Sequence, residues 1–499
     1  MKLKLLLTIL CVIIPAMHGQ QSRQPWREIQ QQVNDTVVQI LCQVVEFNFF
    51  KPYEPAEVYS TRGSGFFIDG DAHVVTNAHV IDQARKIFLR VPSLGKHLFE
   101  VERVGVCPER DLALLKVVDQ QLPFLKEVLG EIPYLTLGDS DSIYRADEVL
   151  ALGYPLGQES LKSTAGMISV REEQYIQMSA PINPGSSGGP LLNIDGLVIG
   201  INSRGQKDAQ NTGYIIPINE LKIILQDLKD KPLVRKPFLG VTSMYATSDL
   251  TAYLGNPEPG GCFVIDVIEG SPLAKAGIQS RDMIYQIDGH DVDIYGDLSV
   301  SWSEDKISLP DYVAQLSIGQ KVDLVVYRHG EKLEIDVTFG HTEELSVRVV
   351  HPDFEPLDYE IIGGMIVMPL TLNHLQKFQS IGLARFAQMQ NQVEPALIIS
   401  YILPTSYLFQ SRTISRGSIL THINEIPVKT LDDFRRAVLA SFDTNFLAVS
   451  VMNTAHPTCE TLFTALRFDK VVSEITEHAQ LFNYQLTPFM KEVVQRWHM

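Results

Sequence analysis

Two serines stand side by side in the run NPGSSGGPLLN, residues 183–193, between glycines and a closing proline. A hydroxyl in such a pinched turn can act as an acyl-transfer nucleophile when a histidine takes its proton and a carboxylate fixes that histidine's tautomer. The turn must also aim backbone N–H groups at the oxyanion that develops on the attacked carbonyl. Glycines let the backbone reach the conformations this requires. In a G-x-S-G-G-P turn the third residue is the nucleophile. That assigns Ser187, makes Gly185 and Ser187 the oxyanion donors, and leaves Ser186 as a spacer. Upstream, TNAHV ends an apolar run at His79, where a strand could present it, and RDLALLK sets Asp111 just before an apolar strand. Taken singly, each piece reads as structure: a core histidine, a turn aspartate, a small-residue turn. Together, in the order His79, Asp111, Ser187, they read as a charge-assisted serine nucleophile.

The elements that must position these side chains come from residues 35–217, a series of short β-rich runs punctuated by Gly, Asp, Asn and Pro. Period-two patterning without long helical segments predicts an all-β barrel or sandwich. Asn219 is then expected to cap an amphipathic helix carrying Leu221, Ile224, Leu225 and Leu228, followed by the charged linker KDKPLVRKP at 229–237. A second part spans about 238–340 and a third about 345–470. Met283–Asp288 is echoed by Ile419–Asn424, which suggests two copies of one module, the second much diverged. The boundaries expected are a signal peptide at 1–19, a first domain at 20–230, modules at 238–340 and 345–470, and a C-terminal tail at 471–499.

A chain of 499 residues is too long for one core. Its 45% hydrophobic and 20% charged content is that of globular protein, and a net charge of −17 excludes the basic footprint of a nucleic-acid binder. Lys2 and Lys4 precede an apolar run from Leu5 to Met17, a signal-peptide pattern too short to span a membrane. Cleavage is expected near Gly19, and no later segment is apolar enough for a stable span. Cys42, Cys107, Cys262 and Cys459 are widely spaced and read as isolated buried thiols; spacing gives no support to a Cys42–Cys107 bridge. No metal site and no cofactor is expected, and the absence of a GxxxxGK[ST] loop argues against a nucleotide requirement.

The runs GSGFFI, VVTNAHV, DLALLKV, LGDSDS, LALGYPLG, INPGSSGGPLLN, GLVIGIN and NTGYIIPI, all within 63–217, resemble the HtrA/Deg (Do-like) family of trypsin-like serine proteases with PDZ domains. The segments SWSEDKISLPDYV and IIGGMIVMPLTLNHL look closest to its plant-type Deg branch. The resemblance implies a mainly β fold, with a chymotrypsin-type double β-barrel followed by two PDZ-like α+β modules. It also implies ATP-independent cleavage of unfolded exported proteins, most simply in the periplasm, by a homo-oligomer built on trimers. A holdase, or a scaffold that binds C-termini with little proteolysis, is the rival reading. Ser186 and Ser179 stand where the family has Asn and Asp, and the stretch VEFNFFKPYEPAEVYST is short for a regulatory loop.

The substrate pocket is expected to have Pro181 at its base and walls from Ile201, Asn202, Ser203 and Tyr214. With no acid at the base, small apolar side chains are favoured over Lys or Arg. Residues 158–174 and 203–212 read as mobile loops beside the site. Phe238-Leu239-Gly240-Val241 resembles a PDZ carboxylate-binding loop, which captures a peptide C-terminus as an added strand. The third part shows no clear equivalent and is expected to serve assembly.

Overall fold

The computed structural model describes residues 24–499 apart from 55, 56, 173, 206–211, 342–344, 456 and 457. The expected signal peptide at 1–19 lies outside the described residues. Six antiparallel strands close a first barrel: β1 (Val37–Glu46), β2 (Glu57–Phe67), β3 (His73–Thr76), β4 (Ala84–Arg90), β5 (Phe99–Cys107) and β6 (Leu112–Val117). A second barrel is closed by β7 (Glu148–Gly153), β8 (Lys162–Glu172), β9 (Tyr175–Met178), β10 (Pro190–Leu192), β11 (Val198–Gly205) and β12 (Gly213–Pro217). Closure removes the exposed edges that short strands would otherwise present. A shared core in which Phe66, Leu114, Leu152, Tyr154 and Ile201 are buried joins the barrels. The helix Ile218–Asp230 lays Leu221, Ile224 and Leu228 on that core. Asn219 does not cap this helix. Pro217 holds the cap position, and Asn219 lies in the first turn with its amide on Asp139 Oδ1 at 2.8 Å.

Among the described residues two larger sheets follow, one within 241–338 and one within 360–467, and a two-stranded one pairs Asp297–Leu298 with Ile307–Ser308. The repeat inferred from sequence is present in register. Cys262 and Phe263 pair with Ile284 and Met283, just as Leu397 and Ile398 pair with Leu420 and Ile419. Two expectations are corrected. Most of 158–174 is not a loop but β8, paired with both β7 and β9. The residues expected to form a tail make two helices, Phe468–Leu481 and Pro488–Trp497, which bury Val471, Ile475, Phe489, Met490 and Val493 in the third module's core. Their apolar faces could not stay in water as a tail.

The parts are docked on one another. The linker runs beside β5, with Val106 N–H on Pro232 O at 3.1 Å and Val234 N–H on Val106 O at 2.8 Å. In the second module Trp302 stacks under Arg171 at 5.1 Å, and Glu304 pairs with Arg145 at 3.0 Å. The short β1–β2 connection is a docking arm: Phe49 meets His374 at 5.4 Å, Phe50 meets Phe378 at 4.8 Å, and Ser400 Oγ donates to Phe50 O at 3.0 Å. Cys42, Cys107, Cys262 and Cys459 are all unbridged, the first three buried and Cys459 half-buried. No described helix is long and apolar enough to cross a membrane.

Candidate active site

His79 is not carried by a strand. β3 ends at Thr76, Asn77 stands at the N-cap in extended conformation, and His79 lies in the four-residue helix Ala78–Ile81. Its main-chain N–H donates to Asp111 Oδ1 at 3.0 Å, and its Nδ1 lies 2.9 Å from both Asp111 oxygens. Asp111 ends a 3₁₀ turn, Pro108–Arg110, in left-handed conformation (φ 54°, ψ 40°), directly before β6. That turn is fixed by Asp111 N–H on Pro108 O at 3.0 Å and by the Asn77 amide on Asp111 O at 3.0 Å. With Nδ1 held by the carboxylate, Nε2 is the nitrogen left to exchange a proton, and the half-exposed ring leaves it accessible.

Ser187 is held by contacts from both barrels. Its carbonyl accepts the Ser64 N–H at 2.8 Å, while Ser64 Oγ donates to Gly185 O at 2.7 Å and accepts Tyr154 N–H at 2.9 Å. Gly188 donates to Asn202 O at 2.8 Å, and Asn202 returns a bond to Gly189 O at 2.8 Å. Gly188 has φ +85°, and a Cβ there would lie 2.2 Å from Ser64 O, so no other residue fits. Ser187 Oγ donates to Ser203 O at 2.8 Å. The N–H groups of Gly185 and Ser187 have no acceptor among the described residues.

Of the expected pocket residues, Pro181 is exposed rather than buried at a pocket base, and Tyr214 lies under Arg204 beside Tyr175. Ile201 is corrected: its side chain is sealed in the inter-barrel core. Asn202 is also corrected, since its amide is buried on Leu152 O at 2.9 Å. Ser203 touches the catalytic candidates instead, with its hydroxyl on Asp111 Oδ2 at 3.1 Å. Residues 206–211 lie outside the described residues. Ser64 was missed from sequence, although the small-residue frame of GSG was its signal. A cavity of about 440 Å³ borders His79 and Asp111 and is closed on its far side by Val349, His351, Pro352 and Asn373 of the third module's approach. Burial pushes the His351 imidazole below its usual range.

In the second module Phe238 and Leu239 are anchored in apolar contacts, and the Leu239 and Gly240 N–H groups have no acceptor among the described residues. The strand Val241–Met244 is a sheet edge, open for an added strand. Gly240 has φ +76° and a would-be Cβ 2.3 Å from Ser271 Cβ. The third module has an equivalent after all. Gly364 has φ +78° and a would-be Cβ 2.1 Å from Ser406 Cβ, and Leu403 N–H donates to Gly364 O at 2.8 Å as Ile268 N–H does to Gly240 O at 3.0 Å. There, however, the edge is taken: Glu360–Ile362 pairs antiparallel with Met365–Pro369 through the Gly363-Gly364 turn.

The comparisons agree with the domain organisation. A trypsin-like peptidase domain matches residues 63–201, and a PDZ domain matches 237–339. A probable periplasmic serine endoprotease DegP-like of Chlamydia pneumoniae is 31% identical over 406 residues, covering 79% of this chain and 74% of that protein. Its counterpart in Chlamydia muridarum (strain MoPn / Nigg) is 35% identical over 296 residues, covering 57% of this chain but only 55% of its own length. The solved HtrA-type protease AlgW with tripeptide is 28% identical at a TM-score of 0.50, over 64% of this chain and 97% of that one. With its two closed barrels and following PDZ fold, the chain belongs to the DegP-like, HtrA-type family of trypsin-like serine endoproteases with PDZ domains.

Proposed function

We propose that this chain is an ATP-independent serine endopeptidase of unfolded exported proteins, acting in the periplasm named for its relatives. The observation that carries the reading is His79 Nδ1 at 2.9 Å from Asp111, close to a glycine-framed Ser187 whose turn leaves two N–H groups unused. Ser187 Oγ turns from Ser203 O and attacks the scissile carbonyl carbon while its proton passes to His79 Nε2. The oxyanion is received by the Gly185 and Ser187 N–H groups. The tetrahedral adduct collapses as His79 returns the proton to the leaving amine, and water, activated by the same imidazole, hydrolyses the acyl-enzyme. Asp111 orients the ring throughout and stabilises its charged form.

Peptide C-termini are captured at Phe238–Val241, while the Glu360–Ile362 strand leaves the third module to hold the assembly together. The functional units are the protease at 20–230, the PDZ module at 238–340, and a divergent module from 345 through the last two helices. A homo-oligomer built on trimers is part of the proposal and is read by light scattering. Casein digestion and labelling by an active-serine phosphonate test the enzyme reading. Both should vanish in Ser187→Ala; binding of unfolded protein without either would favour the holdase.

A further inference from the structure

The residue before Asp111 is a fully buried arginine. Arg110 pairs with Glu220 in the first turn of the helix Ile218–Asp230, and its Nη2 donates to the carbonyl of Leu316 at 3.0 Å. Leu316 belongs to another module. It follows the helix Leu309–Ala314 of the PDZ module, whose end is closed by Gln315 N–H on Tyr312 O and Leu316 N–H on Val313 O, both at 3.1 Å. One guanidinium thus ties the Asp111 turn to the protease's final helix and to the PDZ module at once. The turn needs holding, because Asp111 sits in a left-handed conformation that a non-glycine residue keeps only when its surroundings enforce it. Around it, Glu109 accepts from Arg235 at 3.1 Å and from Lys236 N–H at 3.2 Å, and burial pushes the Lys236 amine below its usual range.

We propose that Arg110 is a positioning residue for the proteolytic site, and that through Leu316 the seated PDZ module is part of what holds Asp111 against His79. This rests on the assignment of Asp111 as the carboxylate of the triad. A planar fork can serve Glu220 and Leu316 together, whereas an ammonium is a point charge that cannot span both. Arg110→Lys keeps the buried charge paired and gives up the reach to the PDZ module.

The test uses full-length protein and a chromogenic peptide. In Arg110→Lys kcat should fall about tenfold or more, since small misplacements at a catalytic group are costly. KM should stay within about twofold, because substrate binding is untouched. The acid limb of the pH–rate profile should move to lower pH, because a loosened Asp111 stabilises the imidazolium less. The double variant Arg110→Gln/Glu220→Gln removes both members of the buried pair together and should show the same displacement. A drop in amplitude with the limb unmoved would mean a structural role only and would overturn the proposal, as would unchanged kinetics in both variants. Phosphonate labelling of Ser187 in the parent protein separates the two layers. A parent that neither labels nor cleaves removes the protease reading itself, whereas an active parent with unmoved variants removes only the role of Arg110.

Discussion

Ser187 Oγ donates to the backbone carbonyl of Ser203 at 2.8 Å, and no hydrogen bond joins it to His79 among the described residues. Ser203 also sends its hydroxyl to Asp111 Oδ2 at 3.1 Å, so one residue touches both Asp111 and Ser187. Catalytic hydrogen bonds are often long or misdirected before substrate arrives. In the proposed mechanism Ser187 starts from this rotamer and turns to His79 when the site fills.

Asp111→Asn should lower turnover on the order of 10⁴-fold through the wrong histidine tautomer, as in the general triad case. Ser203→Ala keeps the carbonyl and loses one hydroxyl bond to a carboxylate, a loss of about 1.5–3 kcal/mol. Its kcat/KM should stay well above that of Asp111→Asn. Steady-state kinetics on one peptide substrate rank the two, and the opposite ranking refutes the assignment.

Cleavage should follow Val, Ala, Ile and similar residues. Pro181, expected from sequence as the pocket residue, is no acid, and Arg204, stacked on Tyr175 at 4.8 Å, repels a basic side chain. Mass-spectrometric mapping of a digested unfolded protein checks this; a majority of Lys and Arg sites is the contrary result.

C-terminal peptides should bind with a stoichiometry of one per chain, at the PDZ module alone. Gly240→Val places a side chain against Ser271 at positive φ and should abolish that binding while Ser187 still labels. Titration calorimetry gives the stoichiometry. Two sites per chain, or binding that survives Gly240→Val, would mean the third module's edge opens.

The strand that closes that edge is fastened by Glu360, a buried carboxylate held by Thr487 and by Arg435 Nε at 2.8 Å. Burial raises the Glu360 carboxyl above its usual range, although these partners oppose the shift. Arg435→Met leaves the carboxylate half-satisfied and should destabilise the third module by on the order of 3 kcal/mol. Glu360→Gln should cost much less. Chemical denaturation of both variants makes the comparison.

Acid should loosen the third module through His374. Desolvation lowers this fully buried imidazole to about 4, and its Nδ1 accepts Thr371 N–H at 3.1 Å, which fixes it neutral. A histidine whose folded value lies below its unfolded value binds protons preferentially when unfolded. Its contribution is complete above the unfolded value near 6.5, is lost progressively as pH falls toward about 4, and is gone below that. This loss is on the order of 3 kcal/mol. Melting temperatures from pH 7 to pH 4 should fall less steeply in His374→Phe, and parallel curves would exclude this group as the source.

Local patterns are written in order along the chain, which is why the glycine-framed turn at Ser187, the pairing candidates His79 and Asp111 and the strand-rich first domain were legible. Each needs a particular small or polar residue at a fixed place, and no contact from afar changes that requirement. What β11 does with consecutive residues was not legible. Ile201 enters the inter-barrel core, Asn202 sends its amide to Leu152 O and Ser203 reaches Asp111 because two barrels close on that strand. The same limit hid the loop at Gly364. Its register depends on Ser406, 42 positions away in the sequence, and the Glu360 strand that seals it is recognisable only once Arg435 and Thr487 arrive from two later helices. Arg110 reads as an ordinary charge before a strand. Its partners Glu220 and Leu316 come from a helix and a module far downstream, and only folding brings all three beside Asp111. Sequence determined which groups could do the chemistry; long-range packing decided which neighbours hold them.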